Sequence, residues 1–248
     1  MDNREILQPL YDRYGQEIKF QLLSNKDEKI VYEMKTPDDI LMVMIMPHLS
    51  IARFHKYMRS LGLQQKLFDE KFNVAEVVDT YMLGNNLVSV QKKLKGINTF
   101  ERNEESMAEI GQLVGRLHNL TFSPQYKNTC LLVNYPDKKR QLELKLYDFW
   151  FSKIANPLKY FFLRSYPKGI CHRDVNPKNV LLGDNGKYYL IDFDVHRYQP
   201  FVEGIVRFYN RKIKDKSLFN AFLRGYEKER ALVQKEREYL KKELQITI

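Results

Sequence analysis

The stretch from Ile170 to Asp194 constrains this chain more than any other. Two short apolar runs, Val180-Leu181-Leu182 and Tyr188-Tyr189-Leu190-Ile191, flank Gly183-Asp184-Asn185-Gly186. Apolar runs of that length around an Asn-Gly turn predict a β-hairpin. Such a hairpin returns Asp192, at the end of its second strand, to the side of Asn179, just before its first. Asp174 lies on the loop that leads into Asn179. One reversal of the chain thus gathers two carboxylates and an amide oxygen. These are hard oxygen donors, the kind magnesium takes while keeping waters and substrate phosphates in its shell. Phosphoryl transfer asks for such a cation and for a base that orients the accepting hydroxyl. The expected roles are Asp174 as base and Asn179 and Asp192 as metal ligands. Lys178 is a candidate phosphate contact on the same loop, and Asp194 a candidate ligand to a second metal ion. The plainer reading of Asp174 and Asn179 is turn and capping duty.

Ahead of this segment the chain changes character once. Ile18–Leu23, Lys29–Met34 and Ile40–Met46 are rich in apolar and β-branched residues, with turn chemistry at 24–27 and 36–39. They predict a three-strand meander after a short helix. Ser50 is an N-cap candidate for a helix from Ile51 to Leu61, with Gly62 as its end. Two more strands are expected at Val74–Tyr81 and Leu87–Leu94, turning at Gly84-Asn85-Asn86. From Glu104 to Leu120 the apolar residues recur with helical period on one face. A second helix, dense in aromatics, is expected over Gln141–Tyr166, and a charged helix or helix pair over Lys214–Leu244. A strand-rich part, 1–95, therefore precedes a helix-rich part, 96–248. The fold class expected is α+β.

The catalytic-segment residues resemble the kinase-like superfamily. His172-Arg173-Asp174, four residues and then Asn179, followed by Asp192-Phe193, is similar to its catalytic loop and metal loop. Within it, the layout is most similar to the aminoglycoside phosphotransferase and choline kinase-like family, supported by Gly115-Arg116-Leu117-His118-Asn119 and Phe222-Leu223-Arg224-Gly225-Tyr226. The resemblance implies a protein-kinase-like two-lobe fold, a nucleotide-binding lobe over 1–95 and a catalytic and acceptor-binding lobe over 96–248. It implies ATP and Mg2+ as cofactors. With no Gly-x-Gly-x-x-Gly pattern present, Ser24 and Asn25 would cap the nucleotide. The family usually places a lysine on the third strand and a glutamate on the next helix. Here Ile40–Met46 has no basic residue, and the helix from Ile51 carries Arg53, Lys56 and Arg59 without an acid over its first three turns. Lys29, Lys35, Arg53 and Lys56 are the candidate substitutes.

The acceptor is narrowed by what is missing and by charge. No long activation segment follows Asp194, because only Val195 to Pro200 separate it from the next helical pattern. A small-molecule hydroxyl acceptor is therefore expected. The net charge is +10, and from 181 to 248 there are 14 Lys and Arg against 10 Asp and Glu, with Arg207, Arg211, Lys212, Lys214 and Lys216 close together. A neutral or anionic acceptor suits that balance better than a polycation. The rival reading is a catalytically weak or inactive kinase-fold binding protein, which the missing lysine and glutamate favour. Nucleic-acid binding has only net charge behind it and is not expected. Two cysteines, Cys130 and Cys171, argue against a disulfide framework. No apolar run is long enough to span a bilayer and no leader is visible, so a cytoplasmic setting is expected. His48, His55, His118 and His196 show no zinc-ligand spacing.

Overall fold

A computed structural model describes residues 3–26, 29–47, 49–99, 101–123, 126 and 163–245. The expected aromatic helix over Gln141–Tyr166, apart from its last four residues, lies outside them, as do Cys130 and His48. The chain divides into two compact units, one of Met1–Tyr57 and Ala75–Lys95, the other of Met58–Val74 and Gly96–Ile248.

The first unit is an antiparallel sheet with a helix on one face. Helix α1 spans Asn3–Tyr14, and strands β1 (Lys19–Lys26), β2 (Lys29–Lys35) and β3 (Ile40–Met46) follow. With β4 (Val77–Leu83) and β5 (Asn86–Lys92) they form five strands in the order β1-β2-β3-β5-β4. Side chains alternate across a strand, so one sheet face collects Tyr32, Met34, Leu41, Val43, Ile45, Val88 and Val90 around Leu10 of α1. The opposite face carries Glu33, Met42 and Gln91 in one register row. Two expectations need correction. The turn placed at 24–27 starts later, because Ser24 and Asn25 are ladder residues paired with Val31 and Ile30, after a bulge between Leu22 and Ser24. Likewise β4 begins at Val77, since Val74 belongs to the core of the other unit.

Helix α2 runs Ile51–Asp69, well beyond the end expected at Gly62. Leu61, Leu63 and Leu67 continue the apolar face, and their burial outweighs the modest helix penalty of a single glycine. The helix stops at Lys71 instead, which takes a left-handed φ of 61°. There the Phe72 and Lys71 N–H groups bond back to the Leu67 and Phe68 carbonyls at 2.9 Å each. That is the hydrogen-bond pattern of a Schellman cap.

In the second unit, helix α3 spans Glu104–Leu120, as the periodicity predicts, and Asn103 caps it by accepting from the Ser106 N–H at 2.8 Å. It packs against α5 (Lys216–Glu229) with almost no side-chain spacer. A Cβ on Gly225 would lie 1.7 Å from the Ala108 carbonyl oxygen, and one on Gly111 1.9 Å from that of Phe222. Only glycine permits this approach. Short strands β6 (Gly96–Asn98), β8 (Val180–Gly183) and β9 (Tyr188–Leu190) form one antiparallel sheet, and β7 (Lys168–Cys171) pairs with β10 (Arg197–Pro200). Helix α4 (Phe201–Phe208) runs into a π turn at Tyr209–Ile213, and α6 (Gln234–Leu244) follows α5, so the charged C-terminal stretch is a helix pair. Among the described residues no helix is long and apolar enough to cross a membrane.

Candidate active site

The predicted hairpin forms, with Gly186 at φ 74° in its turn and β8 paired to β9. Its second strand is moored by two bonds to Asn73. The Leu190 N–H bonds to the Asn73 carbonyl at 3.1 Å, and the Asn73 amide returns a bond to the Tyr188 carbonyl at 2.8 Å. The strand before the loop is moored too, by the Ile170 N–H on the Thr121 hydroxyl at 3.0 Å. The loop from His172 to Asn179 therefore hangs between fixed strands.

Within it Asp174 and Asn179 meet. The Asn179 side-chain amide donates to the Asp174 carboxylate and to the Asp174 carbonyl, both at 3.0 Å. The Ile191 N–H bonds to the Asn179 carbonyl at 3.0 Å, and the His172 Nε2 donates to the Ile191 carbonyl at 2.9 Å. Ile191 is thus held at both its backbone groups, one residue before Asp192. Asp192 itself is exposed and sits at φ 62°, while Arg173 sits at φ 65°. Left-handed backbone at a non-glycine residue costs on the order of 1 kcal/mol, and strain of this kind gathers at functional loops. Asp194 follows in the short 3-10 turn Phe193–Val195. Lys178 is exposed, with its N–H on Asn176 and its carbonyl accepting from Asn98. Ser24 and Asn25 belong to the first unit, on the β1–β2 hairpin.

His172 is a strut rather than an acid or base. Burial pushes its pKa down to about 4, and its neutral Nε2–H is committed to Ile191 while the ring lies edge-on to Phe193 at 4.7 Å. His196 is similar, lowered to about 4 by burial. His118 is a buried core residue bonded to the Tyr226 hydroxyl at 2.8 Å and stacked on Phe201. Cys171 is buried, and desolvation lifts its thiol to about 12, which removes it as a nucleophile at neutral pH.

Three contributors were not anticipated. Asn176 donates to the Asp174 carbonyl at 2.9 Å and accepts from the Lys178 N–H at 2.8 Å, so it shapes the loop as an Asx turn. Its signal was present as Asn176-Pro177. Lys212 forms an ion pair with Asp174 at 3.7 Å, and Arg207 donates to the Arg173 carbonyl at 2.8 Å. Neither placement has a local sequence signal. In the first unit, the third strand does lack a basic residue, but the nearly buried Glu33 of β2 pairs with Lys93 and, at 3.5 Å, with Lys35. The Lys93 hydrogen bond holds the Glu33 carboxyl below the usual range. Of the candidate substitute cations, Lys35 is therefore committed to a carboxylate. A cavity of about 210 Å³, lined by Asn73, Glu109, Gln112, Arg116, Lys187 and Glu229 among others, contains none of the candidate site residues.

The chain has a mixed α+β fold that carries this loop and hairpin. It belongs to the phosphotransferase enzyme family, whose sequence model matches residues 30–239. An aminoglycoside phosphotransferase from Alicyclobacillus acidocaldarius superposes with a TM-score of 0.60 at 16% identity, over 94% of this chain and 80% of that one. A choline kinase from Streptococcus pneumoniae gives 0.57 at 14% identity, over 98% and 88%. An ethanolamine kinase from Plasmodium vivax gives 0.58 at 14%, over 98% and 73%. A probable serine/threonine-protein kinase of Dictyostelium discoideum is 38% identical over 56 residues, which is 23% of this chain and only 11% of that protein.

Proposed function

We propose that this protein moves the γ-phosphate of ATP to a hydroxyl of a small molecule, with Asp174 as the base. The observation that carries this reading is the pair of hydrogen bonds that the Asn179 amide donates to the Asp174 carboxylate and carbonyl. It turns the carboxylate and the amide into one rigid unit at the end of a moored loop. Because the Asn179 Nδ2 is spent on Asp174, its Oδ1 is left for a cation. Together with the exposed Asp192 carboxylate, this donor set fits magnesium, a hard cation that favours oxygen. The chemistry that magnesium supplies when bound is neutralisation of charge on the triphosphate.

The chain's own part is positioning. Asp174 accepts the proton of the attacking hydroxyl and keeps its oxygen in line with the phosphorus. Lys212 pairs with the Asp174 carboxylate at 3.7 Å and so helps fix where it sits. Lys178 in the loop is the candidate nucleotide contact of this unit. A polycationic acceptor suits this site poorly. At about 6 Å and an effective dielectric of about 20, each like-charge pair costs roughly 3 kcal/mol.

The test is ADP release from Mg-ATP with a panel of sugars, amino alcohols and their phosphates. Asp174→Asn is expected to lower turnover by about 10³-fold, in the range of a lost general base. Full activity in that variant removes Asp174 as base. A second reading, a nucleotide-binding protein with little or no turnover, is favoured by the strand Ile40–Met46 having no basic residue. It predicts that ATP with magnesium raises Tm while no acceptor releases ADP.

A further inference from the structure

Beside Asp174 the second unit assembles more positive charge than the fold requires. Arg207 is fixed by its Nε donating to the Arg173 carbonyl, directly before Asp174. Lys212, in the π turn that continues α4, reaches the Asp174 carboxylate itself. Arg211 lies four residues beyond Arg207 across the same turn, and Arg197 leads in from β10. The four guanidinium groups feel one another: burial and then Arg197, Arg207 and Arg211 lower the pKa of Arg173, and burial and then Arg211 lower that of Arg207. The Nε of Arg173 is buried with no hydrogen-bond partner among the described residues. Lys212 spends its charge on Asp174.

Four guanidinium groups and Lys212 gathered beside the partly exposed Asp174 carboxylate repel one another, and an entering anion relieves that repulsion. Crowding charges in this way destabilises a fold, so the compensation is expected from a ligand. Guanidinium forks match the paired oxygens of a phosphate, and several around one point suit a dianion better than a carboxylate. Resting on the phosphotransfer reading above, we infer that the acceptor is a phosphorylated alcohol, whose existing phosphate is held by Arg207 and Arg211 with Arg173 while its free hydroxyl meets Asp174. In the transfer, the hydroxyl oxygen forms a bond to the γ-phosphorus as the bond from that phosphorus to the β–γ bridging oxygen breaks. The hydroxyl proton passes to Asp174, ADP leaves, and the product carries two phosphates.

The experiment uses matched pairs: glycerol with glycerol 3-phosphate, ribose with ribose 5-phosphate, glucose with glucose 6-phosphate, each assayed for ADP release with Mg-ATP. In parallel, inorganic phosphate binding is measured by calorimetry on the full chain, on Arg211→Gln and on Asp174→Asn. Arg211 is exposed and makes no fold contact described above, so its variant is expected to fold. The expected result is turnover with a phosphorylated member and not its neutral partner. Arg211→Gln should raise the KM for that acceptor by about tenfold, the worth of one charge-assisted contact, and leave the KM for ATP unchanged. It should weaken phosphate binding similarly, whereas Asp174→Asn should leave phosphate binding intact or tighter.

Neutral partners used equally well would overturn the inference and leave the kinase reading standing. Phosphate binding that depends on Arg211, with no ADP released from any pair, would keep the anion site and sink the kinase reading. An effect of Arg211→Gln confined to the KM for ATP would overturn the inference by moving the cluster to the nucleotide.

Discussion

Replacing Gly225 by alanine tests the close α3–α5 contact. In an exposed helix interior, Gly→Ala stabilises by about 1 kcal/mol, because alanine loses less backbone freedom on folding. At Gly225 the added Cβ meets the Ala108 carbonyl oxygen at 1.7 Å, about half of an ordinary carbon–oxygen contact near 3.3 Å. The obstacle is backbone, flanked by the Ala108 carbonyl carbon at 2.5 Å, so no rotamer change relieves it. The two helices must part by more than an ångström along a seam that also holds Phe222 and Tyr226 in the core. Overpacking of this kind costs about 1–3 kcal/mol, and a backbone collision belongs at the upper end or above it. Setting that against the propensity gain leaves a net loss of about 2 kcal/mol. Urea unfolding followed by circular dichroism reads it as a lower midpoint with an unchanged slope. Gly111→Ala, whose Cβ would meet the Phe222 carbonyl at 1.9 Å, should behave alike. A neutral or stabilised Gly225→Ala protein would refute the close approach, and with it the reason for a glycine in Arg224-Gly225-Tyr226.

Two further expectations concern the loop. Asn176→Ala removes the donor to the Asp174 carbonyl and the acceptor for the Lys178 N–H, so turnover should fall by about 10- to 100-fold with little change in the KM for ATP; single-turnover kinetics would separate the two. Stability should also fall on acidification. His172 and His196 have folded pKa values near 4, below an unfolded value of about 6.5, so the folded chain keeps both neutral while the unfolded chain takes up protons. Their contribution is complete above about pH 6.5 and is lost as pH falls toward 4, amounting to about 2 kcal/mol for each at pH 5. Equilibrium unfolding at pH 7.5 and pH 5 measures this, and identical midpoints would contradict the buried neutral state.

How much of this could be read from the sequence follows the range over which each signal acts. The hairpin at 180–190, the helix at 104–120 and the strand at Ile40–Met46 are short-range patterns, and each appears where its periodicity or turn residues put it. Gly62 misled because a glycine marks a helix end only where the apolar face stops, and here that face continues through Leu63 and Leu67. The true end, at Lys71, uses a lysine in a left-handed conformation, a choice that residue type does not announce. The turn at 24–27 misled in a similar way, since polar residues such as Ser24 and Asn25 are tolerated in an exposed strand once a bulge absorbs the register.

The site divides along the same line. Asp174, Asn176 and Asn179 organise one another within six residues, and a single hairpin brings Ile191, the residue before Asp192, onto the Asn179 carbonyl, so spacing alone can place these backbones. The cations cannot be found that way. Arg207 lies 34 residues from the Arg173 carbonyl it holds, and Lys212 is farther still from Asp174 in sequence. Their arrival depends on β10 pairing with β7, on Pro200 passing the chain into α4, and on the π turn that carries α4 onward. An inserted residue of that kind advances the helix surface by one position and re-aims every side chain after it. Removing it should therefore swing Lys212 and Arg211 off the face that Arg207 occupies. It is the feature to look for in any chain suspected of sharing this charge arrangement, ahead of the basic residues themselves.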